Sequence, residues 1–312
     1  MITPFKLKPE YRDYVWGGTR LRPEAERTAE AWVVYEGNQI SEGSLAGLTL
    51  AEAAEKEPNA LLGARPLAQT GNRFPLLIKL LDCAQWLSLQ VHPNDAQART
   101  LEGSGHFGKT EAWYIIEADD GAQLISGFRQ GTTCEMIEEG VRGGKILDLV
   151  ERRTVRAGDA IFISPGTIHA LGPGLLLYEV QQTSDITYRV YDWDRKPTPG
   201  RQLHIEQAIK VLNPEEAGEV LPAGGQTNLA ASQYFKLEKI TGGPAAVNNK
   251  SQSFSLLTVV DSNICVIGEG WELDLERFET LVVPAVCSDF RVETGESGCA
   301  LHAYVPPGGH TP

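Results

Sequence analysis

The sequence contains no apolar run long enough to cross a membrane. Its longest apolar stretches, which end at Lys79 and at Tyr178, fall far short of the roughly 20 residues that a bilayer requires. The opening residues Met1-Ile2-Thr3-Pro4 lack the apolar segment of a signal peptide. We therefore predict no membrane span, no signal peptide and a cytoplasmic location.

Cysteine is scarce and irregularly placed. The sequence holds five cysteines, an odd number, and no two of them form a Cys-x-x-Cys pair. This pattern argues against a disulfide framework and against a zinc ribbon, and it is typical of a reducing compartment. The five are Cys83, Cys134, Cys265, Cys287 and Cys299.

Positive charge is also in short supply. Twenty-eight Lys and Arg residues stand against 41 Asp and Glu residues, which gives a formal net charge of -13 at pH 7. A field of this sign repels nucleic acids and anionic membranes, so neither is a predicted partner. An anionic substrate would have to bind in a local basic pocket.

What the sequence does contain is typical of a globular, mainly β protein. Hydrophobic residues make up 42% and charged residues 22% of the 312 residues, and this length corresponds to about two domains. The 32 glycines and 18 prolines favour short strands joined by turns. Apolar residues alternate with period two in runs bounded by turns, as in a β-sandwich or jelly roll. These runs include residues 87–92, 112–116, 160–163 and 175–180.

Helical signals are few and short. Four segments carry a capping residue at one end or a helix-breaking residue at the other. They are residues 53–56 behind a Thr49 capping box, 95–102 behind Asn94, 133–139 behind Thr133, and 204–212 before Pro214. The sequence therefore predicts a mainly β fold with a few short helices.

The composition changes after Pro214, where Gly-containing stretches indicate a connecting segment. A second strand-rich set follows from Phe254 to Val305. Residues 158–165 and 279–284 share the order turn, apolar strand, proline, which suggests two related folds. We predict a domain of residues 1–212 with a metal site, and a smaller domain of residues 213–312 without a metal, in which His302 has no visible ligand set.

Four polar side chains form a candidate metal site in the first domain. Gln90 and His92 are two residues apart on a predicted strand, so both point to the same face. Glu111 begins the next strand run, and His169 follows the Pro165-Gly166 turn at the end of another. Two imidazoles, a carboxylate and an amide oxygen suit a divalent ion such as Zn²⁺, and donor type alone also admits Mn, Fe or Co.

The small number of histidines helps to decide between a metal site and ordinary buried residues. A single histidine is more often a half-buried, hydrogen-bonded residue than a ligand. This chain has only six, however, and two of them stand in strand contexts beside an amide and a carboxylate. The combination favours a metal site over four unrelated polar residues.

The candidate ligands stand in phrases that match a known enzyme family. The phrases are Gln-Val-His-Pro-Asn-Asp from residue 90, Gly-Lys-Thr-Glu-Ala-Trp-Tyr from residue 108, Pro-Gly-Thr-Ile-His-Ala from residue 165, and Ser-Asp-Ile-Thr-Tyr-Arg-Val-Tyr-Asp from residue 184. Trp-Gly-Gly from residue 16 and Phe-Pro-Leu-Leu-Ile-Lys from residue 74 extend the match over the first two-thirds of the chain. Together they resemble type I mannose-6-phosphate isomerases, most closely the short bacterial form.

The resemblance implies two cupin-like jelly-roll domains and a zinc enzyme that interconverts mannose 6-phosphate and fructose 6-phosphate. It implies one Zn²⁺ per chain, bound by Gln90, His92, Glu111 and His169. It also implies three catalytic residues, namely Arg189, Lys109 and Asp185. The reaction moves a proton between C1 and C2 through an enediol, which requires a base and positive charge beside the developing oxyanion.

The phosphate of such a substrate requires cations and hydroxyl groups in an otherwise acidic protein. The candidates are Ser88, Lys79, Lys109 and Arg189. Asp185 and Arg189 share a strand face if the stretch between them is extended, and a solvated ion pair is the other interpretation of Asp185. Lys79 could equally extend along apolar surface as an ordinary strand lysine. The predicted partner is a hexose 6-phosphate, and the chain is predicted to be a monomer or weak homo-oligomer.

Two other functions remain open. Another metal-dependent cupin enzyme, such as a dioxygenase, would use three or four histidines around iron, which the Gln90 and Glu111 pair fits poorly. A non-catalytic sugar-phosphate-binding or regulatory cupin would have kept the pocket and lost turnover. The set of Lys109, Asp185 and Arg189 argues against the second alternative, because binding alone requires no acid–base groups. The C-terminal part resembles the family only weakly.

Overall fold

The fold is described by a computed structural model that covers residues 2–196, 198–296 and 298–307. Within these residues β-strands dominate, and the six α-helices are short. The mainly β fold with a few short helices that the sequence predicts is therefore confirmed. No helix in these ranges has both the length and the apolar character needed to cross a membrane.

The strands of the described residues fall into two groups along the chain. Those before the connecting segment are β1 Phe5–Lys6, β2 Glu10–Arg12, β3 Glu30–Val34, β4 Leu76–Cys83, β5 Leu89–Val91, β6 Glu111–Ala118, β7 Gln123–Phe128, β8 Val150–Thr154, β9 Ala160–Ile163, β10 His169–Leu171, β11 Leu175–Gln182 and β12 Tyr188–Tyr191. Those after it are β13 Glu219–Leu221, β14 Asn228–Ala231, β15 Lys236–Thr241, β16 Pro244–Asn248, β17 Ser255–Val259, β18 Ile264–Gly268, β19 Trp271–Leu275, β20 Thr280–Val283, β21 Asp289–Glu293 and β22 Cys299–Tyr304.

All four predicted helices are present. The helices are α1 Leu50–Lys56, α2 Pro58–Leu61, α3 Ala64–Thr70, α4 Asp95–Glu102, α5 Cys134–Arg142 and α6 Ile205–Val211, with 3₁₀ turns at Ile146–Asp148 and Ala285–Cys287. Thr49 and Glu52 form the predicted capping box of α1, and Asn94 and Gln97 form one at α4. Helix α5 continues past its predicted end because Gly140 lies on its buried face, against Leu149. Helices α2 and α3 were not predicted.

The chain divides into two compact units that are discontinuous in sequence. The first takes in the described residues of Met1–Tyr11, Ala31–Leu80 and Gly225–Pro312, and the second takes in Arg12–Glu30 and Leu81–Gly224. The start of the chain joins the first unit because β1 pairs with β20, with Phe5 opposite Val282. The predicted division into residues 1–212 and 213–312 follows the chain order and stays a prediction.

The second unit is a sandwich that contains the predicted metal ligands. One of its layers is the sheet β12-β5-β10-β7-β8, and the other contains the strands β13-β9-β6-β11. Buried apolar residues from both layers, among them Leu124, Trp113 and Ile163, form one core cluster. A second cluster joins the opposite face of the five-stranded sheet to α5 and α6, through Val91, Ile137 and Val211.

The first unit holds a second sandwich. Its layers are the sheets β1-β20-β17-β22-β15-β14 and β16-β21-β18-β19. Leu257 and Leu281 of one sheet share a core cluster with Val266 and Val292 of the other. Val266 and Val292 alternate with more exposed neighbours along their strands, whereas Leu257 and Leu281 lie in strands that are buried throughout.

Candidate metal centre

Strand register brings three of the predicted site residues into one row. Gln90 of β5 lies directly opposite His169 of β10 on one side and Arg189 of β12 on the other. Residues that are directly opposite in an antiparallel pair project to the same face of the sheet. Here that face is the one that carries Leu124 and Leu171, which pair with each other and pack in the core of the sandwich. The row therefore lies inside the second unit.

Three side chains bring donor atoms together in this interior. One donor atom from each of His92, Glu111 and His169 lies within 4.8 Å of the other two. His92 Nε2 is 3.5 Å from Glu111 Oε2, and His169 Nε2 is 3.4 Å from Glu111 Oε1. All three side chains are almost completely buried. Two imidazole nitrogens and a carboxylate at this spacing can bind one divalent cation.

Backbone carbonyl groups fix the orientation of both imidazoles. His92 Nδ1 lies 2.8 Å from the Ile186 carbonyl oxygen, and His169 Nδ1 lies 3.0 Å from that of Thr167. A carbonyl oxygen only accepts, so each Nδ1 carries the proton and each Nε2 presents a lone pair to Glu111. This second hydrogen bond is typical of histidines that bind metals.

The electrostatic environment of His169 keeps its imidazole neutral. Burial lowers the pKa of His169 to about 4, and the positive charge of Lys109 acts in the same direction, while the bond to Thr167 opposes them. Trp113 packs edge-on against the ring, with ring centroids 5.5 Å apart. A neutral imidazole is the form that coordinates a metal.

Gln90 reaches the same point through its carboxamide. Its Nε2 lies 3.4 Å from His92 Nε2 and 3.2 Å from His169 Nε2, and its Oε1 accepts a hydrogen bond of 3.2 Å from Ser88. Rotation of the amide by half a turn would exchange its oxygen and nitrogen. The carboxamide is therefore placed to add a fourth donor, and its role as a ligand stays a prediction.

Lys109 forms a buried ion pair with Glu111. Its Nζ lies 2.9 Å from Glu111 Oε2 and 3.1 Å from His92 Nε2, and the side chain is 4% exposed. Lys109 therefore places a buried positive charge directly beside the donor atoms of His92 and Glu111.

The other predicted site residues lie in different settings. Arg189 is half-buried on β12, and its Nε is buried with no hydrogen-bond partner among the described residues. Burial and the neighbouring Arg201 lower the pKa of Arg189. Asp185 is exposed, in the segment between β11 and β12. Lys79 belongs to the first unit, on β4, with its Nζ 5.2 Å from the centre of the Trp32 ring.

The stretch between Asp185 and Arg189 is not a continuous strand. β12 begins only at Tyr188, so the condition under which Asp185 and Arg189 share a strand face is not met. Within this stretch the Ile186 carbonyl accepts a hydrogen bond from His92 Nδ1, a side chain of the metal-binding group.

Sequence reasoning missed a buried carboxylate beside the centre. Glu179 Oε2 accepts a hydrogen bond of 2.9 Å from Trp113 Nε1, the ring that packs against His169. Two features of the sequence could have indicated it. Glu179 interrupts the apolar run of β11, and Trp113 lies two residues after Glu111, on the same strand face.

Comparison with known proteins places these residues in a family. The protein-family model for the catalytic domain of type I phosphomannose isomerases matches residues 4–107 of this chain. The probable mannose-6-phosphate isomerase GmuF of Bacillus subtilis is 34% identical over 312 residues, which cover 94% of this chain and 97% of that protein. The mannose-6-phosphate isomerase ManA of the same organism is 33% identical over 320 residues, covering 96% and 98%.

The fold points to the same family. The crystal structure of a mannose 6-phosphate isomerase from Bacillus subtilis matches with a TM-score of 0.84 at 29% sequence identity, over 97% of this chain and 99% of that one. The cupin-like fold that the sequence resemblance implies is thereby confirmed. Because relatives this similar extend along almost its whole length, the chain belongs to the type I mannose-6-phosphate isomerase family.

Proposed function

We propose that this chain interconverts mannose 6-phosphate and fructose 6-phosphate with one bound Zn²⁺. One observation carries the proposal: in a chain of this family, two Nε2 lone pairs and the Glu111 carboxylate converge within 4.8 Å. Both imidazoles, those of His92 and His169, are held in the tautomer in which Nε2 carries a lone pair. Nitrogen and oxygen donors in this combination suit Zn²⁺, with Gln90 as the proposed fourth ligand.

The proposed reaction moves a hydrogen between C1 and C2 of the sugar through an enediol. A bound divalent cation would supply Lewis-acid polarisation of the sugar's carbonyl and hydroxyl oxygens. The protein has to supply two things: a group that transfers the proton, and a fixed positive charge near the enediolate. Both act more strongly in a buried site, where water screens them less.

Lys109 and Arg189 are the proposed sources of positive charge. Lys109 Nζ lies 2.9 Å from Glu111 Oε2, which supports a place for it beside the metal-bound end of the substrate. Arg189 lies opposite Gln90 in the sheet, and its buried Nε has no hydrogen-bond partner within the described ranges. A guanidinium in this position is available to hold an anionic oxygen of the substrate.

Three further residues complete the proposed site. The buried Ser88 hydroxyl, bonded to Gln90, supports a role for Ser88 in binding the substrate. Asp185 is proposed as a catalytic acid–base group, and its exposed position gives it access to protons from solvent. The proposed contribution of Lys79 to phosphate binding rests on the sequence.

The metal belongs to the predicted domain of residues 1–212, and residues 213–312 form a domain without one. The partner is a hexose 6-phosphate, and the protein acts in the cytoplasm as a monomer or weak homo-oligomer.

The test is conversion of fructose 6-phosphate to mannose 6-phosphate by the purified protein, before and after chelation and after return of Zn²⁺. We expect activity that chelation abolishes and Zn²⁺ restores. Oxygen consumption that depends on Fe(II) would instead indicate another metal-dependent cupin enzyme. Saturable binding of the hexose phosphate without turnover in any metal state would indicate a binding or regulatory cupin.

A further inference from the structure

Three polar groups that the proposed reaction does not use meet next to Lys109, namely the Asp95 carboxylate, the backbone amide of Gly108 and the Gln182 carboxamide. Asp95 is the first residue of α4, Gly108 precedes Lys109, and Gln182 ends β11. None of the three belongs to the metal-binding group of His92, Glu111 and His169. Their contacts with one another hold the backbone on both sides of Lys109.

Two side chains hold both ends of the segment 108–110. Asp95 Oδ1 accepts a hydrogen bond of 2.7 Å from the Gly108 amide and one of 3.1 Å from Gln182 Nε2. Gln182 Oε1 in turn accepts a hydrogen bond of 2.9 Å from the Thr110 amide. Asp95 and Gln182 therefore form a bridge that binds the backbone on either side of Lys109.

Steric contact holds the same segment against the start of α4. A Cβ atom on Gly108 would lie 2.5 Å from the Asn94 carbonyl carbon and 2.5 Å from the Asp95 nitrogen. Only glycine permits so close an approach of two backbones. The amide of Lys109 also donates to the Pro93 carbonyl at 2.9 Å. The segment thus has little freedom to rotate while the bridge is intact.

The segment that follows Gln182 in the chain is hydrogen-bonded to His92. The Ser184 amide donates to the Gln182 carbonyl at 2.7 Å, and the Ser184 hydroxyl donates to the Phe107 carbonyl at 2.9 Å. Two residues further on, the Ile186 carbonyl accepts the proton of His92 Nδ1. The segment after Gln182 is therefore tied both to the loop before Lys109 and to a metal-binding histidine.

We propose that Asp95 and Gln182 are positioning residues, which fix Lys109 and Glu111 relative to His92. This inference rests on the proposed function for its consequence in catalysis. Small displacements of a reacting group or a ligand carry a large cost, because proximity and alignment supply much of the rate. A bridge with a purely structural role would affect the stability of the fold and leave metal affinity and kcat unchanged.

The variants Asp95→Ala and Gln182→Ala test the bridge. We expect each to lower Zn²⁺ affinity or kcat by about 10–100-fold, the usual effect of removing a group that orients a metal ligand. Because the two act as one bridge, we expect the double variant to lose much less than the product of the two single losses. Asp95→Asn keeps Oδ1 as an acceptor for both bonds, so we expect it to restore values close to those of the wild type.

The matched control is Gln97→Ala on the same helix. Gln97 and Asn94 cap α4 through reciprocal hydrogen bonds of 3.0 Å and 2.9 Å, without a bond to the segment 108–110. This variant should lower Tm and leave kcat and Zn²⁺ affinity unchanged. The proposal is overturned if Asp95→Ala behaves like Gln97→Ala, or if Asp95→Asn is as impaired as Asp95→Ala.

Two readouts separate this inference from the proposed function. Zn²⁺ affinity is measured by competition with a chelator, which requires no turnover, so a wild type that binds zinc without isomerising sugar still tests the bridge. Hydrogen exchange at the Gly108 and Thr110 amides requires no metal. Protection lost in Asp95→Ala and kept in Asp95→Asn supports the bridge, whereas equal protection in both variants overturns it.

Discussion

Gln90 and His169 lie directly opposite each other on neighbouring strands, with Gln90 Nε2 3.2 Å from His169 Nε2. The register of this one pair places residues 79 positions apart on the inner face of the same sheet. Glu111, on β6 in the other layer of the sandwich, lies with its Oε1 3.4 Å from His169 Nε2. The centre thus depends on long-range strand pairing rather than on any single segment of the chain.

His92→Ala is expected to abolish zinc binding and isomerase activity together. The substitution removes one of two imidazole ligands, so we expect kcat/KM to fall by more than about a hundredfold, since loss of a supporting group alone costs about 10–100-fold. Zinc content per chain and the rate of fructose 6-phosphate conversion are the measurements. His106→Ala is the control, because His106 is exposed in a loop. Full activity of a zinc-free His92→Ala protein would refute the site.

Arg189→Ala is expected to separate chemistry from metal binding. Arg189 pairs with Gln90 in the sheet and is not one of the three grouped donors, so zinc content should stay at the wild-type level. Loss of a cation that stabilises an oxyanion should lower kcat by about 10²–10³-fold. Arg142→Ala is the control, since Arg142 forms exposed ion pairs with Glu138 and Glu206. Unchanged turnover in Arg189→Ala would remove this residue from the mechanism.

Local signals in the sequence predict much of the fold. Helices α1 and α4 follow from capping boxes that begin at Thr49 and Asn94, because such caps act over three or four residues. Helices α2 and α3 have no side-chain cap, so their starts carry no signal of this kind. Helix α5 runs beyond Gly140 because tertiary packing outweighs the local preference of glycine to end a helix.

Part of the candidate site can also be predicted from local patterns in the sequence. The shared face of Gln90 and His92 follows from strand periodicity alone. The contact between His92 and the Ile186 carbonyl does not, because any residue can offer a backbone carbonyl and only the folded chain decides which one does. The exposed position of Asp185 also depends on the end of β11 and the start of β12, and strand ends are weakly encoded.

Glu238 links the stability of the first unit to pH. The sequence shows no set of metal ligands around His302. In the structure, His302 Nε2 lies 3.0 Å from Ser255 Oγ, and His302 Nδ1 lies 3.6 Å from Glu238 Oε2. The bond with His302, followed by that with Lys236, lowers the pKa of Glu238 to about 2 against the effect of burial. A carboxyl group with a lowered pKa stabilises the fold above its unfolded pKa, and this contribution is lost as the pH falls toward 2.

The variant Glu238→Gln tests this dependence. The wild type should exceed the variant in free energy of unfolding by a constant amount above about pH 5, and the difference should shrink as the pH falls from about 4.5 toward about 2. Urea unfolding followed by tryptophan fluorescence at a series of pH values measures it. If the difference in free energy of unfolding between the two proteins is the same above and below this pH range, the pKa of Glu238 is not lowered by its contacts in the folded protein.

Glu111 and Lys109 give a final prediction about the protein without metal. Glu111 is fully buried and Lys109 nearly so, and their charges lie 2.9 Å apart. Glu111→Gln keeps the shape of the side chain and leaves the Lys109 ammonium buried without its carboxylate. Removing one partner of a buried ion pair usually costs about 3–5 kcal/mol, so we expect a loss of this size in urea unfolding in the presence of a chelator.

The double variant Glu111→Gln/Lys109→Met should recover most of that loss, because an apolar side chain of similar length requires no counter-charge. Both variants should lose zinc binding, so the comparison isolates the ion pair from the metal. Equal stability of the two variants would mean that water or another residue neutralises Lys109. In that case the buried ion pair would contribute nothing to the free energy of unfolding. Its position beside His92 would then serve only the function of the metal centre.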